Sequence, residues 1–182
     1  MKRSLKDSLS RAVLEEVSTR VLEESALLCA RLLPRAPRPL SRWEALGARL
    51  NFSGAFRGQL EAWIPRPIAA RLADNLLGGE PGGQSVDGEP GARTFPGRPV
   101  DEEAVWTASD EIDLDAIREL LGILCISFMA ALTGTDADLR LGTATRCVRL
   151  EPLEGGGHER ELWLEVEGEP VLLRLRLAAA SS

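Results

Sequence analysis

The run Glu161-Leu162-Trp163-Leu164-Glu165-Val166-Glu167-Gly168-Glu169-Pro170-Val171-Leu172-Leu173-Arg174-Leu175-Arg176-Leu177 is the most strictly patterned part of the chain. Leu162, Leu164 and Val166 alternate with Glu161, Trp163 and Glu165, while Val171, Leu173, Leu175 and Leu177 alternate with Arg174 and Arg176. Successive side chains of a strand point to opposite faces, so a period of two marks a sheet with one face on a core. The pattern predicts strands over 161–167 and 171–178, joined by a turn at Gly168-Glu169. That register puts Glu161 opposite Arg176 and Trp163 opposite Arg174, pairs worth about 0.2–1 kcal/mol each. An antiparallel sheet is the consequence.

Upstream, 139–150 reads as a further strand, and before it the periodicity changes from two to 3.6. Residues 113–133 predict a helix roughly 30 Å long at 1.5 Å per residue. Ile117, Leu120, Leu121, Leu124, Phe128, Ala131 and Leu132 form its core stripe. A second line, Asp115, Glu119, Gly122, Ile126 and Met129, starts acidic, loses its side chain at Gly122 and ends apolar. A glycine inside a helix costs roughly 1 kcal/mol relative to alanine. Two readings account for it: another element of the same chain packs there, or a partner docks along the line.

The first half repeats the order of elements. Residues 8–33 predict a helix with Ala12, Val13, Val17, Val21, Leu22, Leu28 and Leu32 as its apolar positions, stopped at Pro34. Strands follow at 48–52 and 55–64 around the turn-prone Ser53-Gly54; Phe56, Leu60, Ala62 and Ile64 face one way, Arg57, Gln59 and Glu61 the other. A short helix starts at Pro65-Arg66-Pro67, where proline is tolerated, and ends at Gly78, with Ile68, Leu72, Leu76 and Leu77 as its stripe. From 79 to about 110 the Gly/Pro-rich composition predicts a flexible loop that buries too little to offset its ordering entropy. The fold class is therefore α+β: a single domain over 8–178, two long helices and a short one on an antiparallel sheet, with helix-then-strands order repeated twice.

Composition narrows the function. With 182 residues, 22 Lys+Arg against 28 Asp+Glu and a net charge of −6, there is no basic tract to displace counterions from nucleic acid. Aromatics at 4% and the absence of tyrosine argue against base-stacking platforms. No apolar run approaches the roughly 20 residues of a membrane span, and the N-terminus lacks a signal-peptide core, so a cytoplasmic protein is expected. Cys29, Cys125 and Cys147 stand apart in apolar surroundings and read as buried thiols in a reducing compartment. The single histidine, His158, has no neighbouring Cys/His pair for zinc. Neither a nucleophile elbow nor a phosphate loop is present. The common hydrolytic and nucleotide chemistries have no residues to use.

Glu111-Ile112-Asp113-Leu114-Asp115-Ala116-Ile117-Arg118-Glu119-Leu120-Leu121-Gly122-Ile123 resembles the signature helix of the CheC/CheX/FliY chemotaxis phosphatases, and of CheX-like domains in particular. Val21–Ala26, Phe52–Leu60 with Ala69–Gly78, and Leu139–Val148 resemble the rest of that family in order. The resemblance implies a CheY-like receiver domain as partner. In the family an E-x-x-N motif acts on the receiver's aspartyl phosphate: the Glu pairs with a cation of the regulator, and the Asn one turn along orients the attacking water. The receiver supplies Mg²⁺, so no cofactor of the chain's own is implied. Here Glu119 stands at the Glu position and Gly122 at the Asn position, and glycine has no side chain to hold water. No amide substitutes for it: Asn51, Gln59, Asn75 and Gln84 lie outside both long helices.

Three functions are thereby expected in competition. One is a catalytically degenerate module that docks on a receiver through Asp115, Glu119, Gly122 and Ile126. Another is a working phosphatase in which some other group replaces the Asn. The third is an assembly subunit, with a homodimer formed through an exposed edge at 171–178.

Overall fold

The structure is a computed structural model that describes residues 11–35, 37, 45–78, 108–134, 138–147 and 158–178. Three helices occur among these residues: α1 (Arg11–Glu24), α2 (Arg66–Leu77) and α3 (Ala108–Thr133). Seven strands accompany them, namely β1 (Ala30–Leu32), β2 (Ala45–Ser53), β3 (Gly58–Pro65), β4 (Arg140–Leu141), β5 (Thr145–Cys147), β6 (His158–Val166) and β7 (Glu169–Leu177). They form one antiparallel sheet in the order β1-β6-β7-β3-β2-β4, with β5 also paired to β2. The architecture is the expected α+β arrangement. The predicted loop is not described over 79–107, and its last three residues, 108–110, belong to α3.

The hairpin over 158–177 is present, with a turn shifted from the expected one. Val166 pairs with Glu169, so the two loop residues are Glu167 and Gly168, both at positive φ (53° and 90°). That is the backbone a tight hairpin requires, because the handedness of such a turn matches the twist of the strands. Glu161 consequently faces Arg174 rather than Arg176, and Trp163 faces Leu172 rather than Arg174. A two-residue slip leaves every side chain on its predicted face.

The core lies on one side of the sheet. Leu46, Ala48, Leu50 and Phe52 of β2, Leu60, Ala62 and Ile64 of β3, and the alternating leucines and valines of β6 and β7 pack there against all three helices. From α3, Leu114, Ile117, Leu120, Leu121, Leu124 and Phe128 are buried. By length and hydropathy Ser109–Thr133 could cross a membrane, and it places those apolar side chains on the sheet instead. Ala131, assigned to the core stripe from sequence, is exposed, and Met129, assigned to the second line, is buried.

Helix α1 ends nine residues before the predicted Leu33. Leu27 takes φ 54°, and Ala30–Leu32 then pairs with Leu164–Val166 of β6. Hydrogen bonding to an open sheet edge outweighs the helical pattern that Leu28 and Leu32 suggested. Leu28 is still buried, from the connecting segment, whereas Cys29 is exposed. Helix α2 starts and stops as read, with Pro67 in its first turn and Gly78 capping it at φ 71°, but Leu77, assigned to its apolar stripe, is 48% exposed. The strand expected over 139–150 is broken into β4 and β5, and 148–150 falls outside the described residues.

On the other side of the sheet a charged row crosses four strands in register. Arg49 faces Glu61, Glu61 faces Arg174, and Arg174 faces Glu161. Arg174 Nε donates to Glu161 Oε1 at 3.1 Å, and Trp63 Nε1 donates to Glu61 Oε1 at 2.6 Å. Glu61 is only 2% exposed and Arg174 4%. Alternating sign across the strands lets these desolvated charges neutralise one another.

Candidate functional site

Four of the residues marked from sequence share one open face of α3. Asp115 and Glu119 are exposed, Gly122 is half-buried, and Ile126 is 53% exposed. Steps of four, three and four residues keep them in line along the helix. The same line continues one step back to Ile112, which is 55% exposed. Ile112 and Ile126 thus bracket the two acids and the glycine over about 21 Å of helix. Ile112 was missed from sequence, although its three-residue spacing to Asp115 carried the signal.

The two acids differ in availability. Arg118 Nη1 donates to Asp115 Oδ1 one turn along, so the Asp115 carboxylate is already matched. Among the described residues Glu119 has no ion pair. It is the acid on this line that remains open to a cation from outside.

Gly122 is not explained by packing among the described residues. A Cβ built there would meet only Leu141 Cδ1, at 4.0 Å, an ordinary contact. The close approach of another element, one of the two readings of this glycine, is therefore not what the described structure contains. Leu141 is itself 40% exposed and pairs with Phe52 across the sheet edge. It joins the face from β4, and nothing in its local sequence announced this, because the break in the strand sets its position.

Charged groups cluster at the N-terminal end of α3. Asp110 in the first turn is buried and bound by Arg66 from the start of α2. An anion is favoured at a helix N-terminus, where amide dipoles converge. Burial pushes the Asp113 carboxyl up; nearby Arg66 opposes this, and Asp74 adds to it. Burial lowers the Arg146 pKa, with Glu111 acting in the other direction. Arg146 lies on β5 opposite Ala48. Among the described residues no cluster of His, Cys, Asp or Glu could hold a metal ion. The Cys125 thiol, pushed up to about 12 by burial, is held in its neutral form.

The sheet order corrects the exposed edge expected at 171–178. Strand β7 is flanked by β6 and β3, and the edges of the described sheet are β1 on one side and β4 with β5 on the other. A continuous sheet between two copies cannot form through β7.

No protein-family model and no curated protein matches the sequence. Solved structures do match. A CheX chemotaxis protein from Vibrio vulnificus superposes with a TM-score of 0.58 at 13% identity, covering 97% of this chain and 100% of that one. CheX in the CheX–CheY–BeF3–Mg²⁺ complex from Borrelia burgdorferi gives a TM-score of 0.58 at 12% identity, covering 92% and 97%. FliY from Thermotoga maritima gives 0.52 at 14% identity, covering 99% and 92%. With near-complete coverage in both directions, the chain has the α+β fold of the CheC/CheX/FliY structures.

Proposed function

We propose that this chain is a CheX-like module that docks on a CheY-like receiver domain through the exposed face of α3 without hydrolysing the receiver's aspartyl phosphate. The observation that carries the reading is the state of Glu119 and Gly122. A carboxylate with no ion pair among the described residues stands one turn from a helix position with no side chain. In the mechanism the resemblance implies, the first can still meet a cation of the partner. The second offers no amide to orient water. Loss of a positioning group raises a barrier steeply, since each 1.36 kcal/mol is about tenfold in rate.

Ile112, Ile126 and Leu141 supply the apolar ground of this contact, and Glu119 its charge. Such surfaces draw affinity from a few desolvated anchors and orientation from charge. Mg²⁺ and the phosphorylated Asp belong to the receiver in this reading, so the module needs no cofactor and works in the cytoplasm. The Borrelia burgdorferi CheX–CheY complex supports the choice of a receiver domain as partner, because its CheX shares this fold.

Incubation with a phosphorylated CheY-like receiver and Mg²⁺ tests the proposal. Binding with an unchanged rate of phosphate loss is the expected result. Faster loss would make the chain a working phosphatase. Absence of receiver binding, together with a stable dimer by sedimentation, would make it an assembly subunit.

A further inference from the structure

We infer that the cleft at the β2–β3 turn is a binding site for the phosphate group of a small phosphorylated molecule. The cleft has a volume of about 330 Å³ and is lined by Asn51, Ser53, Arg57 and Arg140, with Gly58 and Gly142 in its walls. That volume lies at the lower end of small-molecule sites and exceeds what a bare ion needs. No carboxylate lines it among the described residues. In a chain of net charge −6, a cleft lined by two arginines, with only a weak contact from Asp138 to Arg140, is out of keeping with the charge of the whole.

Four arginines of the sheet and its neighbours have acids of their own. Arg31 meets Glu165, Arg71 meets Glu167, Arg174 meets Glu161 and Arg176 meets Glu159. Arg57 has no ion pair among the described residues. Arg140 has only Asp138 at 3.9 Å, with both side chains about four-fifths exposed, a contact of little weight in water. Arg160 of β6 is likewise without an ion pair among the described residues, but it does not line the cleft, where Arg57 and Arg140 come together.

Their backbones are fixed. Arg57 O accepts from Ala178 N at 2.8 Å, and Arg140 pairs with Ser53 across the sheet. Gly142 N donates to Asn51 O at 2.8 Å, which fastens β4 to β2. At Gly58 a Cβ would stand 2.3 Å from Arg176 O and 2.6 Å from the Phe52 ring, so the turn closes only with glycine there. Gln59 Nε2 donates to Asn51 Oδ1 at 3.0 Å, which orients the Asn51 amide and leaves its Nδ2 as a donor. Two guanidinium forks, an amide and the Ser53 hydroxyl are donors suited to a phosphate, whose oxygens accept several charge-assisted bonds at once. The cleft shares no residue with the α3 line.

The test titrates inorganic phosphate, pyrophosphate and succinate into the full chain at constant ionic strength, with chloride as the control. Thermal shift and amide chemical shifts at Ser53, Gly58 and Gly142 are the readouts. Phosphate and pyrophosphate are expected to give a saturable response. R57Q or R140Q should weaken it by about tenfold, the loss of one charge-assisted contact, and the double variant should abolish it. Both side chains lie at the surface, so the melting temperature in chloride should be unchanged. A phosphate response equal to chloride, or one that survives R57Q/R140Q, would overturn the site. Succinate binding as tightly as phosphate would overturn its assignment to phosphate.

Discussion

Leu141 Cδ1 lies 4.0 Å from where a Cβ on Gly122 would stand, and beyond the adjoining residues and backbone of α3 itself no described atom is closer. A mid-helix glycine with that much room is retained at a cost to the helix that the described packing does not explain. Together with the open carboxylate of Glu119 one turn earlier, it leaves a notch on the face of α3 that a partner can enter.

Gly122→Ala should therefore stabilise the protein. The added methyl meets ordinary contact only, and the helix gains about 1 kcal/mol. For a chain of this size that corresponds to a melting temperature roughly 2–4 °C higher. A lower melting temperature would mean that the position is filled by tighter packing.

Gly122→Asn should supply an amide at i+3 from Glu119 without disturbing the fold. Phosphate loss from a phosphorylated receiver, followed with Mg²⁺ present, is expected to rise by about tenfold or more, equivalent to ~1.4 kcal/mol of barrier. No change in rate would show that the helix geometry, and not the missing side chain alone, bars catalysis.

Stability should depend on pH through Asp113. Its carboxyl is raised in the folded protein, chiefly by burial, so folding favours the protonated form. The stabilisation linked to this group is complete below the ordinary carboxylate pKa and is lost as pH rises through the raised folded value. Asp113→Asn should increase stability in urea unfolding at pH 7 and leave it nearly unchanged near pH 3. Arg66 works against the effect and Asp74 with it, so Arg66→Gln should enlarge the pH dependence.

Arg174 is the most costly charge to remove. Its loss would strand Glu61, which is 2% exposed, with Arg49 at 3.6 Å as its remaining cation among the described residues. Arg174→Met is expected to destabilise by about 3 kcal/mol in denaturant unfolding, the lower end of the penalty for breaking a buried ion pair, because Arg49 stays beside Glu61. Arg31→Met, whose side chain is 74% exposed, should cost no more than ~1 kcal/mol.

Much of this was legible in the sequence because it depends on local periodicity. The β6–β7 alternation, the Pro67 start and Gly78 end of α2, and the line through Asp115, Glu119, Gly122 and Ile126 all follow from spacing along one element. What failed depends on contacts between distant residues. Ala30–Leu32 becomes a strand only because β6 offers an edge, so α1 was read too long. Strand β7 was taken for an edge because nothing in it records that β3 lies on its far side. Leu141 reaches Gly122 through a break between β4 and β5, and the burial of Glu61 requires neighbours from β2 and β7. Tertiary pairing decides such points.

Calorimetric titration of a BeF3-activated CheY-like receiver, with Mg²⁺, into the wild-type chain and into Glu119→Ala tests the docking role of α3 most directly. Saturable binding is predicted for the wild type, weakened by about tenfold or more in the variant, with melting temperatures that agree because Glu119 is exposed. Equal affinities for the two proteins, or no binding by either, would contradict it.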